Sequence, residues 1–301
     1  MSARAWEAFV VNWLFWSGIA VGALVLSALL ELTDARWAGD VRLVAERFRR
    51  FLPISLIAFG AQVLHRRDMY GRSAVAAAAR YAVAFWFCRT SETTQESRTR
   101  ASITFLIVYV AAFSLIAHDV IMSLEPTWIS TLFPAYAFTA NVYGGIAAVA
   151  LVSLMSASGR RVLTGSRLRD LSMVLVGFGI LWMYLVWCQF LVIWYGNLPE
   201  ETAFVARRAE GVWRMLAWVV LTMRGAFPVL ALLADGGKHQ LLLGISAALV
   251  LVGFWIEDLL LVGAAMPGMD ATSAVLFTTA FGVAFAGSVV PLSPRAQQLP
   301  R

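Results

Sequence analysis

QLLLGISAALVLVGFWIEDLLLV, residues 240–262, is the stretch whose reading decides the fold. It is apolar along its whole length except for Gln240, Ser246 and the adjacent carboxylates Glu257 and Asp258. A helix that crosses a bilayer needs roughly 20 mostly apolar residues. A surface helix of a soluble domain would show a polar face at the helical period, and this stretch has none. It reads as a transmembrane helix carrying a pair of carboxylates near its end. An ionisable group at that depth is costly and is a functional-site hypothesis by default.

The whole chain follows the same pattern. Of its 301 residues 60% are hydrophobic, and its mean hydropathy is +0.74. Soluble domains lie at about 45–50% apolar, so a water-soluble core is excluded. The 12 Trp and 19 Phe suit interfacial belts as well as packing. The net charge of +6 comes almost wholly from arginine, Lys238 being the one lysine. These arginines sit in short loops between apolar spans, which is the positive-inside pattern and not a nucleic-acid surface.

Candidate spans are 9–30, 51–65, 74–90, 101–122, 132–155, 170–195, 212–233, 240–262 and 272–292. The expected fold is a single all-α integral membrane domain over 1–301, a bundle of about nine transmembrane helices within a range of about eight to ten. The second and third spans are short and read either as one re-entrant hairpin or as two full helices. With residues 1–8 outside and the tail 293–301 in the cytoplasm, the inner loops and helix ends, Arg89 and Arg224 included, hold 16 of the 24 basic residues. Asp119, Glu125, Glu200, Glu201, Glu257, Asp258 and Asp270 then share the outer face.

Asp119 closes an apolar helix beside His118, about 100° away around the helix axis, so the pair is not expected to face one partner. Glu125-Pro126 breaks that helix, because a residue before proline is pushed out of the α region. Residues 127–133 then suit a short interfacial helix. In WYGNLPEET, Asn197 reads as an N-cap and Pro199 as a first-turn residue. Glu200 and Glu201 complement the positive end of the helix dipole. Arg207, Arg208 and Arg214 follow as partners for those acids. Arg80, inside an apolar helix, is the expected counter-charge for the buried carboxylates. Gln189 and Asn141 read as amides that stitch helices together.

Metal and haem chemistry find few ligands. His65, His118 and His239 offer no histidine pairs at matching depth on facing helices, as a b-type cytochrome needs. Cys88 and Cys188 are isolated in apolar runs, without metal or redox spacing. No metal site and no cofactor bound by this chain are expected.

Two segments carry a family resemblance. DVIMSLEPTWISTLF (119–133) resembles the DW-MSLEPHW-ST segment of the second large membrane subunit of alternative complex III, the ActF type. QFLVIWYGNLPEETAFVARR (189–208) is similar to that subunit's QF-I-W-GN-PEE segment. NWLFWSGIAVGALVLSALLELTDARW (12–37) and FWIEDLLLVGAAMP (254–267) match more weakly, in the same order along the chain. The chain departs from the family at Thr127, where relatives carry histidine, and at His118, where they carry an aromatic or apolar residue.

The resemblance implies a haem-free, NrfD-like helical subunit of a quinol-oxidising respiratory complex in the bacterial cytoplasmic membrane. The quinol and the iron–sulfur and haem groups are expected on partners. Those partners are a homologous NrfD-like membrane subunit, iron–sulfur and cytochrome c subunits, and a terminal oxidase. Asp119, Glu125, Glu257, Asp258 and His118 are then candidates for a proton relay, with Arg80 as charge partner. Asn197, Pro199, Glu200 and Glu201 form an outer-loop motif. The alternatives are a secondary transporter with the acids as coupling sites, and a membrane anchor in which every acid is structural. Transporters commonly carry internal repeats and broken helices near mid-membrane; no repeat is visible here, and the acids sit near an outer edge instead of the midplane.

Overall fold

A computed structural model describes residues 3–65, 67–90, 94–266, 268 and 271–289. It is built of helices, with no strand among the described residues. In chain order these are α1 (Ala3–Leu32), α2 (Gly39–Arg47), α3 (Leu52–His65), α4 (Arg67–Arg89), α5 (Gln95–Val120), α6 (Phe133–Met155), α7 (Ala157–Val162), α8 (Gly165–Gly196), α9 (Pro199–Arg208), α10 (Gly211–Val220), α11 (Phe227–Asp235), α12 (Gln240–Gly263) and α13 (Ala271–Val289). A π-helical segment, Leu221–Ala226, joins α10 to α11.

Among the described residues, seven helices are long and apolar enough to cross a membrane: α1, α5, α6, α8, the continuous α10–π–α11 unit, α12 and α13. The second and third expected spans form separate helices. α3 has 14 residues, shorter than a bilayer crossing requires. α4 has 23 residues but carries Arg67, Asp68, Arg72, Arg80 and Arg89, so composition and not length sets it apart. Residues 3–8, expected as an outer N-terminal segment, belong to α1. The tail 293–301 and Asp270 lie outside the described residues.

α1 and α6 form the centre, and their close approach follows from glycine. Gly22 and Gly145 lie in the contact, and a Cβ at either would overlap backbone of the opposing helix. With no hydrophobic force between helices in lipid, such small residues let backbones approach and gain van der Waals contact. On the side of α3 and α4, Trp13 Nε1 donates to the Ser55 carbonyl at 3.0 Å, and the Ser55 and Tyr81 hydroxyls bond at 2.6 Å.

The π segment has a traceable cause. Pro228 lacks the N–H that would reach back to the carbonyl of Arg224. That carbonyl instead accepts the Tyr143 hydroxyl at 2.7 Å. The distortion turns Arg224 inward, where it is fully buried. The sequence reading counted Arg224 among the inner helix-end charges; the structure moves it to the core, because its partner lies on α12 and not in the next loop.

At the end of the bundle opposite the candidate site, Glu31 is buried between Arg42 and Arg98 and accepts from Gln95 Nε2 at 2.7 Å. Ser27 donates to Glu46 at 3.3 Å. Burial pushes the Glu46 carboxyl above its ordinary value, against the lowering effects of Ser27 and nearby Arg49. Together these contacts tie the end of α1 to α2 and to the start of α5.

Candidate functional site

Four arginines from three different elements meet three carboxylates, Glu257, Asp119 and Glu125. The first pair is Glu257 and Arg224, both buried. Glu257 Oε1 also accepts from Trp182 Nε1 at 2.9 Å and from the Tyr136 hydroxyl. Arg224 donates from Nη2 to the Ala140 carbonyl at 3.0 Å. Its guanidinium lies over the rings of Phe254 at 4.5 Å and Trp182 at 4.9 Å. A buried carboxylate and guanidinium are tolerable in this setting because each has a charge partner and further hydrogen bonds.

Asp258, the next residue, turns about 100° away around α12. It is buried, and its Oδ2 has no hydrogen-bond partner. It lines a cavity of about 10 Å³ together with Tyr136, Ala140, Asn141, Phe254 and Glu257. A second, mainly apolar cavity of about 170 Å³ includes Phe133, Gln189, Phe190 and Arg208 in its wall, and shares Tyr136 and Leu261 with the first.

The second ion pair is Asp119 with Arg72 of α4. Arg72 Nε donates to both Asp119 oxygens at 2.9 Å, and the Ser73 hydroxyl donates at 2.5 Å. Arg72 Nη2 also lies 3.3 Å from His118 Nδ1. One guanidinium thus contacts both His118 and Asp119, which their helical spacing argued against. The fork of N–H groups on arginine is wide enough to bridge neighbouring side chains. His118 remains about half exposed, while Asp119 is buried.

The third joins the two segments that carry the family resemblance. Arg208 Nη1 lies 2.8 Å from Glu125 Oε1 and Arg207 Nη1 lies 3.5 Å from Oε2. Arg208 also donates to the carbonyls of Phe204 and Leu261, both at 2.9 Å. The Trp128 ring stacks on Phe204 with centroids 3.7 Å apart. Ser130 and Gln189 exchange hydrogen bonds at 3.0 and 2.8 Å. Burial lowers the Arg208 pKa from its ordinary value, and the neighbouring Glu125 carboxylate opposes that shift.

Several expectations need correction. Among the described residues Arg80 pairs with no carboxylate: it is buried against Tyr81 at 4.7 Å and Phe113 at 5.7 Å. Its place on α4 turns it toward α5, and Arg224 reaches the α12 acids first. Arg207 and Arg208 meet Glu125 and not Glu200 or Glu201. Asn197 caps the end of α8 in the left-handed region, φ 46°, and does not begin α9. Asparagine tolerates that conformation better than most side chains. The N-cap of α9 is Leu198, with Pro199 at its start and Glu200 and Glu201 in its first turn. Residues 127–132 are irregular and not an interfacial helix. Trp128 is drawn inward, and its backbone N–H bonds to the Glu125 carbonyl at 2.9 Å, closing a single turn after which the chain runs irregularly to α6.

The sequence reading missed the Arg72–Asp119 and Arg224–Glu257 pairs and the Glu31 cluster. A single arginine in an apolar run was the only signal for Arg224. Among the described residues, no group of three or more His, Cys, Asp or Glu side chains comes together to hold a metal ion. No family model matches the chain, and no curated protein matches it.

Proposed function

We propose that this chain is a membrane subunit of a bacterial quinol-oxidising respiratory complex of the alternative complex III type. In this reading α3, lengthened by the 3-10 turn Phe48–Phe51 that leads into it, and α4 are two further crossings, giving an NrfD-like bundle of nine in the cytoplasmic membrane. The chain itself holds no redox group. It packs beside a homologous NrfD-like subunit and supports the iron–sulfur and cytochrome c subunits that carry electrons, and through them a terminal oxidase.

One observation carries the reading. The segments 119–133 and 189–208 resemble the family most specifically, and they are far apart in sequence. They are packed on each other through Glu125–Arg208 at 2.8 Å and Trp128–Phe204 at 3.7 Å. Motifs that form a single structural unit are constrained together, which is how a docking platform for peripheral subunits would be built.

Proton handling is the second part of the proposal. Oxidation of a quinol releases protons with its electrons, and buried carboxylates with arginine neighbours are suited to accept and pass them. Glu257 and Asp258 occupy the bundle interior, and Asp119 with His118 lies nearer its outer end.

The test is genetic and enzymatic. Deleting the gene should lower quinol-dependent cytochrome c reduction by isolated membranes, and an intact copy should restore it. An unchanged rate in the deletion strain contradicts the proposal.

A further inference from the structure

Glu257 and Asp258 are neighbours in sequence but have opposite surroundings. Both oxygens of Glu257 are occupied, one by Tyr136 and Trp182 and the other by Arg224. Among the described residues Asp258 has no ion pair, and its Oδ2 is buried without a partner. Across the cavity of about 10 Å³, Asn141 is likewise buried, and its Nδ2 has no partner. The Asn141 side-chain oxygen Oδ1 is packed against Gly18, where an added Cβ would sit 2.5 Å from it. That leaves the amide N–H groups as the part of Asn141 able to serve a ligand.

We infer that the cavity between α6 and α12 binds one water molecule, held by Asn141 and Asp258, and that Asp258 is the member of the acidic pair that exchanges its proton through that water. Size and chemistry agree on the ligand. A cavity of about 10–15 Å³ on this measure accommodates a single water, and a buried water typically makes about 3 hydrogen bonds. The water accepts from Asn141 Nδ2 and from the protonated Asp258 Oδ2. The Tyr136 hydroxyl and Glu257 complete the polar wall. A metal cation fits less well, because the Asn141 amide presents hydrogens to it where a cation requires oxygen.

The geometry also separates the roles of the two acids. Glu257 is fixed as the counter-ion of Arg224. The proton on Asp258 has a route: it moves to the bound water as another of that water's protons returns to the carboxyl, and the water itself exchanges past Tyr136 and Leu261. These residues line both the small cavity and the larger one. The functional meaning of this route rests on the proton role proposed above, but its existence does not.

Infrared spectroscopy of the full chain in lipid nanodiscs tests it. A protonated carboxyl gives a carbonyl band distinct from carboxylates, and the band shifts when H₂O is replaced by D₂O. The expected result is such a band in the wild type, lost in Asp258→Asn, retained in Tyr136→Phe and slower to deuterate in Asn141→Leu. If Asp258→Asn does not fold, Asp258→Glu keeps the assignment testable by moving the band. A band unaffected by every change at Asp258, or no exchangeable band at all, overturns the inference. The spectrum needs neither quinol nor partners, so loss of the respiratory assignment would leave it standing, and the converse also holds.

Discussion

Glu125, in the turn after α5, and Arg208, at the last turn of α9, form a buried ion pair at 2.8 Å. Arg208 is also bonded to the Leu261 carbonyl of α12. This one side chain therefore ties three separate parts of the chain together at one end of the bundle. Removing one partner of a buried pair leaves an uncompensated charge, at a cost of about 3–5 kcal/mol.

Glu125→Gln and Arg208→Gln should each lower the melting temperature in mild detergent. The double replacement by methionine should recover much of the loss, because an apolar pair of similar size avoids the stranded charge. A double variant whose loss equals the sum of the two single losses would show that the residues do not act as a pair.

The contact of α1 with α6 makes a position-specific prediction. Gly145→Leu places a side chain where the backbone of Gly22 lies, and should abolish folded yield. Gly177→Leu, on α8, meets nothing within 4 Å and should be tolerated. Size-exclusion profiles in detergent distinguish the two, and equal yields would refute the glycine argument.

The π segment depends on the Tyr143 hydroxyl to serve the Arg224 carbonyl. Tyr143→Phe removes that donor, and an unsatisfied buried acceptor costs about 1–3 kcal/mol. The melting temperature should fall accordingly, with a smaller drop for Tyr184→Phe, whose residue is largely exposed. Equal drops would mean that the hydroxyl is not what supports the distortion.

Glu46 gives a pH prediction. Its carboxyl is raised in the folded protein, chiefly by burial, so folding favours the protonated form. Its contribution to stability is fully present below the ordinary carboxylate range and is lost as pH rises from there through the raised folded value. Across that window the wild type should lose stability relative to Glu46→Gln, whose neutral amide does not titrate. Parallel melting curves for the two proteins would contradict this assignment.

How much of this was legible beforehand varies by kind of feature. The apolar spans were legible because hydropathy acts over a whole segment. Thus 240–262 was expected and α12 covers Gln240–Gly263, and 132–155 was expected and α6 covers Phe133–Met155. α4 was harder, since its arginines dilute the signal that its length preserves. Charge pairing was mostly illegible. Arg224 and Glu257 lie on different elements, and nothing local distinguishes Arg224 from a helix-end arginine. Arg80 looked like the natural partner because it is the more obviously embedded residue, yet which side of α4 it occupies depends on packing. Asn197 shows the same limit on a smaller scale: one residue before Leu-Pro fits either end of a helix, and only the left-handed backbone decides it.

The most direct test of the central claim is affinity purification of the chain from native membranes in mild detergent, followed by optical and electron paramagnetic resonance spectra of what accompanies it. The account predicts haem bands and iron–sulfur signals from co-purifying subunits, together with a second NrfD-like membrane protein. A chain that purifies alone, without haem or iron–sulfur signals, would contradict it.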